Sequence, residues 1–180
     1  MPHFALSAVG RDRPGIVAGV SEALLAHSAN IEDSQMTILR GHFTMVLVVA
    51  TPEGEDIEAL RGDLEQVRER LELEGLTLSP LEELDPSADP IPSHIVTLYG
   101  ADHPGIVHAA TAALAERGVD ITDLTTKLVT EGSDPPLYAL MMEIAPPPDA
   151  DVEELESALR SVADEQGVDV TVRPLEQDTL

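Results

Sequence analysis

The chain alternates between stretches with a hydrophobic period of two and stretches with a period near four. Apolar and polar residues alternate in HFALSAV (residues 3–9) and in SHIVTLY (residues 93–99), which predicts half-buried β-strands. Each stretch leads to a proline, Pro14 or Pro104, where we expect a helix to begin. The helices carry apolar residues four positions apart: Ile16, Val20 and Leu24, then Ile106, Ala110 and Leu114. This spacing predicts one buried face for each helix.

A hairpin and a second helix follow in each half. Residues 31–50 (IEDSQMTILRGHFTMVLVVA) indicate two strands joined by a turn at Gly41. The next apolar positions again have helical spacing: Ile57, Leu60, Leu64, Val67 and Leu71, then Val152, Leu155, Leu159 and Val162. We expect Gly75 and Gly167 to end these helices, with short strands LTLS (76–79) and VDVTVR (168–173) after them.

The two halves are copies of one unit. GRDRPGIV at Gly10 recurs as GADHPGIV at Gly100, and ANIEDSQM lies over VDITDLTT at the same offset of 90 residues. From the third strand the offset is 95, so the second copy holds five extra residues near EGSDPP (131–136), where we predict a longer hairpin loop. A proline-rich segment between the copies predicts a linker. The predicted division is a first domain at 1–84, a linker at 85–92 and a second domain at 93–180.

The element order βαββαβ predicts an α+β fold made of two tandem ferredoxin-like units. Each unit is expected to be a four-stranded antiparallel sheet with two helices on one face. The strand FTMVLVVA (43–50) is apolar on both sides, so the helix-free face also requires a cover. We therefore expect a homodimer or larger assembly, or pairing of the two units within the chain.

Composition narrows the class of function. The formal net charge is −24, with 34 acids against ten bases, which argues against direct nucleic-acid binding because that draws on Lys and Arg. We interpret the acidity as a solvated surface, with an acidic docking face as the alternative. The chain has no cysteine, which excludes disulfides and thiolate chemistry and suits a reducing compartment. Without an apolar run of membrane-spanning length or a signal-peptide pattern at its start, it is expected to be soluble and cytoplasmic.

The repeated D-x-P-G-I-V motif predicts a tight turn between a strand and a helix. Asp12 and Asp102 are expected to accept a hydrogen bond from the N–H of Gly15 or Gly105. The free N–H groups at the start of the helix then face outward, and a glycine without Cβ lets a carboxylate approach them. The alternative is that the motif serves the architecture alone, because a duplication preserves residues needed for folding.

These residues resemble a known family. GRDRPGIV…ANI and GADHPGIV…VDI look like the start of ACT domains, and a chain of two such domains resembles the glycine-cleavage-system transcriptional repressor-like regulators. The resemblance implies a small-molecule amino-acid effector, held between the first βα loop of one domain and the start of the second strand of a neighbour. It places the following residues at the site of the first copy: Gly10, Asp12, Arg13, Gly15, Ile16, Asn30 and Ile31.

The second copy departs from this pattern. It keeps the loop residues Gly100, Asp102, Gly105 and Ile106, but His103 stands for Arg13 and Asp120 for Asn30. A carboxylate at position 120 repels a ligand's carboxylate and attracts its ammonium group. One hypothesis is a shared site, with the ligand's carboxylate toward Gly15 and Asn30 and its ammonium toward Asp120. The alternative is that Asp120 starts a strand at a solvated edge.

Other chemistry finds little support in the sequence. His103 and His108 are five residues apart beside Asp102, but no third ligand follows at zinc spacing, so we predict a polar loop and no metal. ACT-like units also begin serine phosphatases and formyltetrahydrofolate deformylases, yet we find no catalytic group or cofactor motif here. We therefore predict a non-enzymatic amino-acid sensor that acts through a protein partner, a transcription factor or an enzyme. The alternative is a structural pairing module that binds no ligand.

Overall fold

The computed structural model describes residues 1–82, 90–130 and 136–175, and its contacts divide the chain into two compact units, Met1–Pro86 and Ser87–Leu180. The first unit contains β1 (His3–Arg11), α1 (Ile16–Ala26), β2 (Asn30–Leu39), β3 (His42–Ala50), α2 (Ile57–Arg70) and β4 (Leu73–Leu81). The second contains β5 (His94–Ala101), α3 (Ile106–Ala115), β6 (Asp120–Val129), β7 (Leu137–Ala145), α4 (Val152–Gln166) and β8 (Val168–Pro174). The order βαββαβ therefore occurs twice, as predicted.

Each unit has one antiparallel sheet of four strands, with the order β2-β3-β1-β4 in the first and β6-β7-β5-β8 in the second. Both helices of a unit pack on one face of its sheet, which confirms the ferredoxin-like fold. The core side chains are mostly aliphatic, as expected for a chain with 2% aromatic residues, and both phenylalanines, Phe4 and Phe43, lie in the core of the first unit. In the first unit they include Leu6, Val20, Leu24, Leu47, Leu60 and Leu64, and in the second Leu98, Ile106, Leu114, Met142, Leu155 and Leu159.

Both sheets carry the same irregularity at the start of the second strand of their unit. The register of β2 against β3 shifts between Ile31 and Asp33, and that of β6 against β7 shifts between Ile121 and Asp123. Such a β-bulge bends the strand locally and redirects the side chains around it. Asn30 and Ile31 therefore lie directly before a bend.

Several predicted boundaries are wrong. The helices begin at Ile16 and Ile106, two residues after the prolines, because Gly15 and Gly105 have φ angles of 98° and 111°, which no helical residue adopts. Gly75 does not end α2, which stops at Arg70; it lies within β4.

Two other expectations from the sequence are confirmed, and parts of two more fall on residues that the structure does not describe. Gly167 caps α4 at φ 63°, as predicted. The β2–β3 turn has positive φ at both Arg40 and Gly41, which confirms the predicted hairpin turn. The last strand of the first unit, β4, ends at Leu81, before the predicted linker at 85–92. Residues 85–89 of the predicted linker and 131–135 of the predicted longer loop lie outside the described residues.

The helix-free face of the first sheet carries small and aliphatic side chains. Val9 and Val46 are 39% and 46% exposed within the unit, and Ser7 and Thr77 form a hydroxyl–hydroxyl hydrogen bond of 2.6 Å between them on the same face. Covering of this face by a second copy or by the other unit stays a prediction. An exposed apolar sheet face of this kind is typical of a surface that pairs.

A histidine held by two carboxylates ties α1 to α2 in the first unit only. His27 Nδ1 lies 2.7 Å from Glu55 Oε1, and its Nε2 lies 2.9 Å from Asp63 Oδ2. The hydrogen bond to Glu55, followed by that to Asp63, raises the pKa of His27, because only the protonated ring donates to both carboxylates. The side chain is 11% exposed, so little water competes for these bonds.

The second unit has no such cluster. At the repeat offsets Arg117 replaces His27, and Ala150 and Ala158 replace the two carboxylates. Arg117 Nη1 donates instead to the carbonyl of Ala113 at 2.9 Å. The pH response that His27 gives to the first unit is therefore absent from the equivalent place in the second.

We predict that His27 makes the first unit more stable at mildly acidic than at alkaline pH. Because the folded-state pKa is raised above its unfolded value of about 6.5, the contribution is complete below that value and is lost as the pH rises through the folded pKa. Denaturant unfolding at about pH 6 and about pH 9 should show a larger gap between the parent and His27→Gln at the lower pH. The matched control is His42→Gln, at an exposed histidine of the same unit. An equal gap at both pH values would contradict this.

Candidate functional site

The loop between β1 and α1 is a tight turn that ends on a glycine. Gly15 has φ 98° and ψ −4°, and Gly105 in the second unit has φ 111° and ψ −23°. These angles, directly after a proline, are those of the third residue of a type II turn. An added Cβ at Gly15 would meet no atom within 4 Å, so the glycine is required by the backbone conformation rather than by a lack of space.

Neither aspartate of the motif caps its helix, contrary to the sequence prediction. The residue before each helix is the glycine itself, and neither α1 nor α3 receives a side-chain cap. Asp12 and Asp102 are linked instead through their backbone N–H groups, which donate to the carbonyls of Gly41 at 2.9 Å and Pro136 at 3.1 Å. These bonds fasten the turn to the adjacent hairpin of each unit.

The second helices of the two units provide a contrast. Asp56 accepts hydrogen bonds from two N–H groups at the start of α2, and Asp151 does the same for α4. The starts of α1 and α3 have no such side-chain acceptor, so their N–H groups remain available to a ligand or to water. The start of α1 is thus the end of that helix suited to an anionic group.

Arg13 and His103 connect the turn to the end of the second helix of their own unit. The Arg13 Nη2 atom lies 2.7 Å from Glu72 Oε2, directly after α2. His103 Nε2 lies 2.7 Å from the Gln166 carbonyl, and its Nδ1 lies 3.0 Å from the Pro104 carbonyl. These carbonyls, Pro104 first, raise the pKa of His103, because a protonated ring donates to both. The two side chains therefore hold the loop in place. Arg13 does not line the groove of the first unit described below, whereas His103 lines the cavity of the second unit.

Gly10 and Gly100 serve strand packing. A Cβ on Gly10 would lie 3.0 Å from a Leu73 side-chain carbon and 3.1 Å from its Cα. On Gly100 it would lie 2.7 Å from Val168 Cγ1 and 3.0 Å from its Cα. The 2.7 Å contact at Gly100 is shorter than real Cβ atoms accept, and those at Gly10 are tighter than most, so the two glycines allow the last strand of each unit to approach the first.

A groove of about 860 Å³ runs along α1 in the first unit. It brings together three of the predicted site residues, Gly15, Asn30 and Ile31. Gly10, Asp12 and Arg13 are not in its lining, and the Ile16 side chain is buried in the core at 2% exposure. Ile16 therefore contributes its backbone N–H and no side-chain surface.

Gly15 and Asn30 lie toward opposite ends of this groove. Gly15 and Leu24 are nine residues apart on α1, which is about 13 Å along the axis at 1.5 Å per residue. The N–H of Ala29 donates to the carbonyl of Leu24 at 2.9 Å, so the next residue, Asn30, lies near the last turns of the helix. A single amino acid is too short to contact both groups within one unit.

The groove also contains residues that the sequence analysis missed. Glu22 lies on α1, while Arg70 and Leu71 end α2, and all three line the groove together with Gly19. Arg70 Nη2 lies 3.6 Å from Glu22 Oε2. The repeat comparison contained the signal, because Arg70 aligns with Glu165 and Glu22 with Ala112, but only the packing of α2 against α1 brings the two charges together.

The cavity of the second unit is smaller and differently placed. Its volume is about 640 Å³, and its lining holds the predicted residues Asp102, His103, Gly105 and Ile106, with His108 and Tyr138 beside them. Ile106 is 2% exposed, like Ile16. Asp120 is exposed at the start of β6 and is not part of this lining. The loop and the strand start of the second unit therefore do not share a groove.

Two negative findings apply to the part of the chain that the structure describes. Within residues 1–82, 90–130 and 136–175, no group of three or more His, Cys, Asp or Glu side chains is arranged to hold a metal ion. Over the same ranges, no helix has the length and apolar character needed to cross a membrane.

The βαββαβ order and the βα turn of each unit define a domain of the ferredoxin-like class. The family model of the ACT domain matches residues 3–75 and 94–173. The chain belongs to the ACT domain family and carries two copies of the domain in tandem. ACT domains are regulatory domains that sense amino acids.

Two curated relatives illustrate the range of proteins that contain similar sequences. A UPF0237 protein of Methanopyrus kandleri is 43% identical over 72 residues, which is 39% of this chain and 80% of the relative. A phosphoserine phosphatase of Streptomyces coelicolor is 28% identical over 174 residues, which is 96% of this chain and 40% of that enzyme. The larger part of the phosphatase thus lies outside the match.

Two solved structures match this chain over both of its units. An unknown protein from Galdieria sulphuraria is 30% identical with a TM-score of 0.78, over 97% of this chain and 98% of that one. A protein described as a candidate glycine cleavage system transcriptional repressor is 17% identical with a TM-score of 0.71, over 98% of both chains. The second likeness is one of fold alone.

We predict that Gly15→Ala destabilises the first unit by about 1 to 2 kcal/mol, because a residue with Cβ is strained at positive φ. The matched control is Gly62→Ala, at an exposed glycine inside α2 with free space around it. That change should stabilise the unit by about 0.5 to 1 kcal/mol through helix propensity. Denaturant unfolding measures both, and equal effects of the two substitutions would contradict this account of the turn.

Proposed function

We propose that this protein is an amino-acid-sensing regulator that acts through a protein partner and catalyses no reaction. The single observation that carries the proposal is the uncapped start of α1, which opens into a groove that also holds Asn30. Neutral N–H groups at the positive end of a helix suit a carboxylate, and an amide side chain both donates and accepts. These are the polar groups that a free amino acid requires.

The length of the groove bears on how the ligand is held. Since Gly15 and Asn30 are separated by most of α1, one small ligand contacts both only if they come from different domains. This fits the arrangement implied by the ACT resemblance, in which the loop of one domain meets the strand start of a neighbour. We therefore propose that a second copy of this chain supplies the strand start that completes the site beside Gly15.

The two units are not equivalent in this proposal. Asp120 stands in the second unit where the first has Asn30, and the two positions do not line comparable grooves. At neutral pH a carboxylate accepts hydrogen bonds without donating any, and its negative charge repels the carboxylate of an amino acid. The first unit is accordingly the sensing unit, and the earlier hypothesis that Asp120 receives the ligand's ammonium in a shared site is kept as a testable alternative.

The regulated partner is proposed to be a transcription factor or an enzyme. The net charge of −24 argues against direct contact with nucleic acid, so regulation of transcription requires an intermediate protein. The fold likeness to the candidate glycine cleavage repressor favours transcriptional regulation of that kind. The similarity to the phosphoserine phosphatase does not support a catalytic role here, because the activity belongs to a whole enzyme and this chain covers only 40% of it.

The alternative from another class is a pairing module without a ligand. The exposed helix-free face, with Val9 and Val46 at its centre, favours this alternative, since it is an apolar surface independent of the groove. The effect of a ligand on the free energy of unfolding distinguishes the sensor from the pairing module. A sensor gains about 2.7 kcal/mol at a ligand concentration a hundredfold above Kd, whereas a pairing module gains nothing.

We predict that at least one of the twenty amino acids raises the thermal unfolding midpoint of the full chain. Asn30→Ala should weaken that ligand's binding by about 1 to 3 kcal/mol through the loss of a hydrogen-bonding partner. The matched control is Gln35→Ala, an exposed polar residue of the same strand outside the groove lining.

Calorimetry with Asp120→Asn tests the shared-site alternative, which alone expects that change to weaken binding. No midpoint shift with any of the twenty amino acids would favour the pairing module. A shift that Asn30→Ala leaves unaltered would exclude the Asn30 end of the groove.

A further inference from the structure

An ion pair on the wall of the groove has no evident structural role. Arg70 Nη2 and Glu22 Oε2 are 3.6 Å apart, and the two side chains are 59% and 75% exposed. Ion pairs as exposed as this contribute little to folding, because water solvates both charges and the pair restricts two long side chains. Both charged groups are therefore accessible to another partner that enters the groove.

A glycine brings the end of α2 close to α1 at this point. A Cβ on Gly19 would lie 3.0 Å from Leu71 Cδ1 and 3.2 Å from Arg70 Nη2. Contacts this short require the neighbouring side chains to shift by a few tenths of an ångström, so the glycine allows the end of α2 to lie close to α1. Arg70 Nη2 therefore lies beside Gly19 and within ion-pair distance of Glu22.

The second unit lacks every part of this arrangement. At the repeat offsets Ala109 replaces Gly19, Ala112 replaces Glu22 and Glu165 replaces Arg70. Yet α3 and α4 pack together as α1 and α2 do. The ion pair is thus not needed to join the two helices of this fold, and the position of Arg70 holds an acid in the second unit.

The charged pair lies toward the Asn30 end of the groove. Glu22 is seven residues beyond Gly15, about 10 Å along the helix axis, and two residues before Leu24, whose carbonyl binds the Ala29 N–H. Around the pair the lining is largely aliphatic, with Ala18, Leu25, Ile31 and Leu71. Opposite charges beside aliphatic surface match the ammonium, carboxylate and side chain of one class of small molecule.

We infer that Arg70 and Glu22 bind the head group of a free α-amino acid with an aliphatic side chain. Arg70 donates N–H bonds to the ligand's carboxylate, and Glu22 accepts from its ammonium group, so the ligand replaces the direct contact between the two side chains. The aliphatic lining takes the ligand's side chain. This inference rests on the proposed function, in which the start of α1 from a second copy lies beside the Asn30 end of the groove, so that Arg70 and those N–H groups share the ligand's carboxylate.

The test is calorimetry of the full chain with L-leucine, L-leucinamide and N-acetyl-L-leucine. The amide lacks the carboxylate that Arg70 requires, and the acetylated form lacks the ammonium that Glu22 requires. We expect the parent to bind L-leucine and to bind both derivatives at least about tenfold more weakly. Arg70→Gln and Glu22→Gln should each weaken L-leucine binding about ten- to a hundredfold, because each removes a charge-assisted hydrogen bond.

The matched control is Arg61→Gln, also on α2, where Arg61 Nε lies 3.5 Å from Glu58 Oε1 outside the groove lining. It should bind L-leucine like the parent, and all variants should keep the parent's unfolding midpoint without ligand, because the altered ion pairs lie on the surface. Full L-leucine affinity in both Arg70→Gln and Glu22→Gln would overturn the inference and leave the proposed function intact. A parent that binds only non-aliphatic amino acids would overturn it too, and one that binds none of the twenty would overturn the proposed function itself.

Discussion

The conformation of Gly15 is the constraint on which the candidate site depends. Proline at position 14 and a positive φ at Gly15 turn the chain from β1 into α1 within a few residues. Because the residue before the helix is a glycine, it has no side chain with which to cap the exposed N–H groups, and Asp12 is fastened to the adjacent hairpin instead. The turn thus leaves the start of α1 open at one end of a groove.

The two units show which features both copies kept after the duplication and which features changed. Both keep the turn, the bulge after the second strand's start and the close approach of the first and last strands at Gly10 and Gly100. They differ where the groove carries charge, since Arg70 aligns with Glu165 and Asn30 with Asp120. Folding constraints account for the shared features, whereas the proposed function explains the difference in charge by a ligand that the first unit alone binds.

Much of the fold was predictable because its hydrophobic periods are regular. Residues at spacing four mark the buried faces of the helices, and alternation marks the strands, so the order βαββαβ and its repetition follow from the sequence. Helix starts were misplaced because proline is common at the first helical position, whereas the same Pro-Gly pair also suits the type II turn that the structure contains. Gly75 was wrongly expected to end α2, because a glycine shortly after a helix can either cap that helix or allow close packing between two strands.

The site was less predictable because its parts meet only through packing. Asn30 and the Gly15 turn stand out in the motif, whereas the pairing of Glu22 with Arg70 depends on how α2 lies across α1. Arg13 looked like a ligand contact by its position in the motif, yet its guanidinium binds Glu72. Local patterns thus locate the loop, but the charges around it are set by contacts between residues far apart in the chain.

The most direct test of the account is to follow the backbone amide signals of the full chain by NMR during titration with the amino acid that stabilises it most. The account predicts that the signals of Gly15 and Asn30, with those of the α1 residues along the groove, shift in proportion to ligand bound. The signals of Gly105 and Asp120 in the second unit should stay unchanged. Shifts confined to the second unit, or no shift at saturating ligand, would contradict a sensing site in the first.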